Sequence, residues 1–288
     1  MHNISYVFPN ISEFNRNGRG GLYKRYKFAS TANCKFIEVP ADFIKNKTEV
    51  NKTGKKLGTI LSISDINQLY EPGTPSKKLK YIMHSEPSLQ RRDGAGSSFT
   101  PPLRWYDRKW TNDFIRMLTD ITEQLTIPPA GVEIHPGGKK NTYEDLIKAI
   151  TAIRVQFKDT FNTIPFVVVE NRTGQFISDG KQICEFWERL LSLEKGLAKN
   201  TGIVLDISQL YTVTKNNFVK ELNKIPPEAI KGLHIHYRHC TPSLENNLPW
   251  KEVFDWLREI KHKIFINPEV LSHSHTTPTI SFCNRMIA

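Results

Sequence analysis

Eight short stretches of this chain are apolar almost throughout, and most of them stop on a side chain that can bind a metal. They run over Ile4–Phe8, Lys35–Glu38, Lys80–His84, Gly131–His135, Pro165–Glu170, Gly202–Asp206, Gly232–His236 and Ile264–Asn267. They are short and rich in Val and Ile, so each predicts a strand covered on both faces. Between them, Asn112–Leu125, Tyr143–Phe161, Cys184–Leu197, Asn217–Leu222 and Trp250–His262 carry apolar residues at helical spacing. Such alternation builds right-handed βα units, and eight of them predict closure into a (β/α)8 barrel. An open dinucleotide-binding sheet is the alternative, but no GxGxxG follows any strand. A chain of 288 residues suits one such domain. The last barrel helix is expected to be missing, because Ser272-His-Ser-His-Thr-Thr-Pro278 shows no helical pattern.

Two regions exceed what a barrel needs, at about residues 45–79 and 85–110. The first is polar and Lys-rich, with a strand-like piece at Thr59–Ile63. The second follows the third strand and so overhangs the strand ends. It mixes Arg91, Arg92, Arg104, Arg108 and Lys109 with Trp105, Tyr106 and Trp110. Cations for phosphates and aromatics for base or sugar faces suit a nucleic-acid surface. A solvated loop pinned by its aromatics is the plainer account.

The formal charge is +11. A surplus of that size favours a polyanionic partner, although a Lys-rich proteome also yields basic proteins. Four cysteines are scattered without CxxC spacing, which fits a reduced, cytoplasmic protein. No stretch approaches the roughly 18 apolar residues of a membrane span, and the first residues lack a signal-peptide pattern.

The chemistry is concentrated at the strand ends. His84, His135, Glu170 and Asp206 each close an apolar run, and His234 and His236 close another, with His239 in the loop beyond. For one such residue, a hydrogen-bonded structural role is the simpler explanation. Repetition at corresponding places weakens it, because buried carboxylates need a counter-charge or a metal. Imidazoles with carboxylates suit zinc, manganese or iron. Residues two apart on a strand face the same way, so His234 and His236 both reach the barrel mouth.

His135-Pro-Gly-Gly, Glu170-Asn-Arg-Thr-Gly-Gln and Gly-Leu-His234 after Asp206 resemble the motifs of the xylose-isomerase-like TIM barrels. Within that group they are most similar to apurinic/apyrimidinic endonucleases of the endonuclease IV type, over about residues 80–270. The resemblance implies His84, His135, Glu170, Asp206, His234 and His239 as metal ligands, with Glu170 bridging ions. It implies one to two divalent ions, zinc first and manganese second. Glu170 and Glu269 become the catalytic carboxylates. Arg91, Arg92, Arg104, Trp105, Tyr106, Asn171, Gln209 and His236 make up the substrate-binding set. Gln209 and Tyr237 stand where that family carries ligands, so its full three-metal set is not expected.

Three functions follow as expectations. The first is a metal-dependent endonuclease acting on DNA at abasic or damaged sites, by hydroxide attack on phosphorus. The second is a divalent-metal sugar isomerase or epimerase of the same barrel class, which leaves the charge unexplained. The third is a nucleic-acid-binding barrel without catalysis. No obligate protein partner is inferred.

Overall fold

The computed structural model describes residues 4–11, 22–41, 44–50, 56–59, 63–70, 80–85, 91–92, 98–99 and 103–288. Eight parallel strands close into a barrel: β1 Ile4–Phe8, β2 Phe36–Pro40, β3 Lys80–His84, β4 Gly131–Ile134, β5 Phe166–Glu170, β6 Thr201–Asp206, β7 Ile230–His234 and β8 Ile264–Asn267. Each strand pairs with the next in sequence, and β8 closes onto β1 through Ile4↔Ile264 and Ser5↔Phe265. The helices are α1 Leu22–Thr31, α2 Ile63–Leu69, α3 Arg108–Leu125, α4 Tyr143–Phe161, α5 Gly180–Glu194, α6 Ile207–Thr214, α7 Phe218–Leu222, α8 Trp250–Leu257 and α9 His273–Ile287. This is the (β/α)8 barrel that the apolar runs predict.

Two small antiparallel hairpins sit in the longer connections. One pairs Ile44–Val50 with Lys56–Thr59 between β2 and β3, and the other pairs Arg91–Arg92 with Ser98–Phe99 after β3. The strand-like piece expected at Thr59–Ile63 falls mostly outside the described residues; Thr59 ends the first hairpin and Ile63 begins α2.

The last helix is present, contrary to expectation. Pro278 lies inside α9, where it removes a backbone donor. The helix is held instead by packing. Thr276, Thr279, Ile280 and Cys283 are buried at spacings of three and four, and Phe282 packs edge-on against Trp250 and Phe254 of α8. The His/Ser/Thr-rich first turn hides this stripe from a sequence reading.

Inside the barrel, alternate residues stack in layers. Phe36, Phe166 and Phe265 lie at the N-terminal end, against Val7, Ile82, Val168 and Val204. Gly131 and Gly232 make room for this aromatic floor: a Cβ there would lie 2.0 Å from the Phe166 ring and 2.4 Å from the Phe265 ring. Two residues further along the same strands, the inward side chains become Glu38, His84, Glu133, Glu170, Asp206, His234 and Asn267, each of them buried. The interior therefore changes from apolar to ionisable within one step of the pleat.

One irregularity sets that upper layer. Ile203 pairs with Ile230, but Val204 pairs with Gly232, so the β6–β7 register slips by one residue at Lys231. Without the slip, Asp206 would face Leu233. With it, Asp206 pairs with His234, which pairs in turn with Asn267.

Candidate metal centre

The barrel mouth gathers Glu38, His84, Glu133, His135, Glu170, Asp206, His234, His236 and Glu269 into one cluster. Glu170 Oε2 stands 3.1 Å from His84 Nε2, 3.0 Å from His135 Nε2 and 3.7 Å from His234 Nδ1. Glu269 Oε2 is 3.4 Å from His234 Nδ1 and 3.2 Å from His236 Nε2, and Asp206 Oδ2 is 3.5 Å from His236 Nε2. Seven of these buried atoms make no hydrogen bond: His84 Nε2, Glu133 Oε1, Glu170 Oε2, Asp206 Oδ2, His234 Nδ1, His236 Nε2 and Glu269 Oε2. Buried polar atoms are rarely left so. Close approach without hydrogen-bond angles is what donors aimed at a shared cation produce, and nitrogen and carboxylate oxygen are the donors of zinc and manganese. The donor set therefore fits a divalent metal.

The outer contacts support this. His84 Nδ1 meets Glu38 Oε1 at 2.6 Å, and His135 Nδ1 meets the Ser85 carbonyl at 2.6 Å. Each contact engages Nδ1 and leaves Nε2 turned toward Glu170, the usual arrangement behind a ligating histidine. Glu38 is itself fixed, accepting from the Asn10 backbone at 2.8 Å and from Asn267 Nδ2 at 2.9 Å. His234 Nε2 lies 2.9 Å from Glu133 Oε1 and 3.4 Å from Asn267 Nδ2, while its Nδ1 faces Glu170 and Glu269. His236 is different. Its Nδ1 accepts the His239 backbone N–H at 3.0 Å, which leaves the proton on Nε2, facing Asp206 and Glu269. The consecutive left-handed residues Arg238 (φ 52°) and His239 (φ 57°) fold this tight turn and stack the His239 ring on His236 at 4.5 Å.

Burial disfavours charge on every member, and the cluster resolves that in opposite ways. At His84 the burial effect is outweighed by Glu133, Glu170 and Glu38, which hold the imidazole well above its ordinary range. Glu133, Glu170 and Glu269 do the same for His234, and Asp206 with Glu269 pushes His236 up to about 10 despite its burial. Burial would raise Glu170 and Glu269, but the histidines beside them hold both well below the carboxylate range. Burial lowers His135 to about 4, opposed by Glu170 and helped by Arg172. Burial raises Glu133 beyond what His84 and His234 offset. Protons thus stand where a cation would compensate the carboxylates.

A prediction follows from the sign of these shifts. Histidines with raised values carry protons in the metal-free protein, and a metal must displace them. Binding of Zn2+ is therefore expected to release protons to buffer and to tighten by about tenfold per pH unit per displaced proton between pH 6 and 8. Calorimetry in buffers of different ionisation enthalpy reads this directly; affinity that stays flat with pH would contradict it.

The remaining sequence candidates separate. His239 is half-buried, with Nδ1 3.1 Å from the Glu269 carbonyl, and forms a group with His236 and Glu269 whose ligand atoms lie within 4.8 Å. Asn171 bonds the neighbouring strand end. It is buried, its Oδ1 accepting the Asp206 N–H at 2.7 Å and its Nδ2 donating to the Asp206 carbonyl at 3.2 Å, so it fastens β5 to β6. Gln209 accepts the Thr173 N–H at 3.1 Å and joins the two loops instead of the ligand set. Trp105 is also buried. Its indole N–H donates to the His135 carbonyl at 3.0 Å, and its ring packs edge-on against Trp110 and Phe114, so it braces the metal-facing loop and offers no free face. Tyr106 is 45% exposed, and Arg104 is half-buried. The side chains of Arg91 and Arg92 lie outside what is described.

Glu38 and Glu133 were not expected from the sequence. Glu133 had a readable signal: it lies two residues before His135 in an extended run, so both face the interior. Glu38 precedes Val-Pro and lacks such a partner.

No protein-family description and no curated sequence matches the chain. Solved structures do. An AP endonuclease, family 2, from Brucella melitensis superposes with TM-score 0.58 at 13% identity, over 99% of both chains. A D-allulose 3-epimerase from Methylomonas sp. gives TM-score 0.61 at 12% identity, over 99% of this chain and 98% of its own. An L-ribulose 3-epimerase gives 0.58 at 12% identity, over 100% and 95%. The fold shared with these structures is the (β/α)8 barrel. These neighbours are enzymes of two different kinds, and identity at this level speaks for the fold alone. Among the described residues of this barrel, no helix is long and apolar enough to cross a membrane.

Proposed function

We propose that this barrel is a divalent-metal-dependent phosphodiesterase that cuts DNA at abasic or damaged sites. The observation carrying the reading is that the donors fall into overlapping groups, including two that share no residue. His84, His135 and Glu170 make one, and Asp206, His234 and Glu269 make the other, each with ligand atoms within 4.8 Å. A single tetrahedral ion needs fewer. Two ions, zinc first by this donor set and manganese second, would activate water and balance charge on the attacking and leaving oxygens of a phosphodiester.

The chain's own residues prepare the rest. Glu170 belongs to the first group and its Oε2 lies 3.7 Å from His234 Nδ1 of the second, so it would serve cations at both. His84 and His135 are locked by Glu38 and Ser85, so the donors are oriented before a ligand arrives. His236, its Nδ1 capped by the His239 N–H, turns Nε2 toward Asp206 and Glu269 and holds both carboxylates in place. The +11 charge supports a polyanionic substrate, and one neighbour is named an AP endonuclease.

The test is incision of a duplex carrying one abasic site. Cleavage with zinc or manganese, abolished by chelator and restored by metal, is expected; an uncut duplex in the presence of either metal would sink the reading.

A sugar epimerase is the second reading. Glu170 and Glu269 flank His234 Nδ1 at 3.7 and 3.4 Å, a carboxylate pair placed for proton transfer around one ion. Interconversion of ketohexose epimers, with one ion per chain by elemental analysis, would favour it.

A further inference from the structure

We propose that the cleft between the loop after β4 and the loop after β5 binds a phosphate group, and that Arg172 couples that anion to metal loading on His135. The inference rests on the metal-centre reading above.

The cleft is a cavity of about 320 Å³ beside His135, at the rim of the barrel. Lys139, Lys140 and Arg172 line it, and among the described residues no acidic side chain does. Three cations around one hollow repel each other until an anion enters. Phosphate fits best: its several oxygens accept from ammonium and guanidinium donors together.

The walls are built, not incidental. Asn141 is 5% exposed, and its Nδ2 reaches the carbonyls of Leu103, Pro136 and Gly138 at 3.1, 3.3 and 3.2 Å. Gln175 Oε1 accepts the Gly137 N–H at 2.6 Å, and the Phe176 N–H donates to the Gly137 carbonyl at 3.0 Å. The two loops are thus stitched together around the hollow. At Gly138 a Cβ would meet nothing within 4 Å, and the backbone there is not left-handed. Neither packing nor φ requires glycine at that place, and its effect is to keep the cleft open.

Arg172 joins the cleft to the metal centre. Its Nη1 donates to His135 Nε2 at 2.8 Å. His135 Nδ1 is committed to the Ser85 carbonyl, so Nε2 carries the lone pair a metal takes. Arginine and metal therefore compete for one atom. A cation can take His135 only when the guanidinium withdraws, and a phosphate in the cleft gives it a better partner. By linkage, metal at His135 must strengthen phosphate binding by the same factor. A charge-assisted hydrogen bond of this kind corresponds to about tenfold in affinity or more.

The experiment is calorimetric titration of the metal-free full chain with Mn2+, with and without dimethyl phosphate, following the binding step that His135→Ala removes. In the wild type, the diester is expected to tighten that step about tenfold. Arg172→Ala should bind Mn2+ about tenfold more tightly without diester, and lose the dependence on it. The Lys139→Ala/Lys140→Ala double variant should keep the wild-type affinity without diester and also lose the dependence. If Arg172→Ala fails to fold by circular dichroism, the lysine variant decides. Wild-type affinity in folded Arg172→Ala, or full diester dependence without the lysines, overturns the coupling alone. Absence of any Mn2+ binding to the wild type overturns this proposal and the metal centre together.

Discussion

Glu170→Gln is expected to cut metal content from about two ions per chain to about one or none, and to slow phosphodiester cleavage about a thousandfold, roughly 4 kcal/mol of transition-state stabilisation. The reason is geometric. One oxygen, Glu170 Oε2, lies within 3.0–3.1 Å of ligand atoms on both His135 and His84 and within 3.7 Å of His234. An amide keeps the shape but loses the charge that holds two cations near each other. Glu133→Gln provides the contrast. Glu133 sits behind His234 Nε2 at 2.9 Å, so its loss should weaken metal binding only about 10–100-fold. Elemental analysis of both variants, with incision rates, makes the comparison. Equal metal content and rate in Glu170→Gln and wild type would remove Glu170 from the centre.

The second large effect concerns the barrel wall. Gly202→Ala is expected to destabilise the fold by about 3 kcal/mol, the upper end for overpacking a closed core. For a chain of this size that lowers Tm by about 6 °C or more. A Cβ at Gly202 would stand 2.2 Å from the Ala229 carbonyl oxygen and 2.9 Å from Lys231 Cγ. The first is backbone and cannot rotate aside, so β6 and β7 must part. At Gly131 the obstacle is the far end of the Phe166 ring, which can turn, so Gly131→Ala should cost less. Thermal unfolding followed by circular dichroism ranks the two. A Gly202→Ala midpoint within about 1 °C of wild type would show that the strands yield.

Much of the architecture was legible because parallel barrel strands are buried on both sides and read as unbroken Val/Ile runs. The residue closing each run marks the barrel mouth, and His84, His135, Glu170, Asp206 and His234 converge there as their positions imply. Scanning the ends of runs has a blind spot for carboxylates inside them. Glu133 is such a residue, 2.9 Å from His234 Nε2, whereas Glu38, which bonds His84 Nδ1, closes its run but is followed by Val-Pro and no second polar residue. The arginine- and tryptophan-rich loop shows the opposite limit. Composition gives the kinds of groups present but not their direction. Trp105 turns inward because Trp110 and Phe114 offer it a ring cluster, and the His135 carbonyl satisfies its N–H. The last helix was hidden because helical signals early in α9 are poor; the stripe that docks it on α8 starts only at Thr276.

The one-residue slip at Lys231 has a bearing on how this chemistry could arise or be lost. Strand parity is binary: each side chain points either to the interior or to the helices. Whether Lys231 bulges or pairs decides whether an imidazole or a leucine looks into the barrel beside Asp206. Regular pairing of Lys231 with Val204 would turn His234 and His236 outward together and present Leu233 and Ile235 beside Asp206, while hydrophobic content stayed the same. How one residue is accommodated therefore sets whether the interior beside Asp206 is ionisable or apolar, with no side chain replaced.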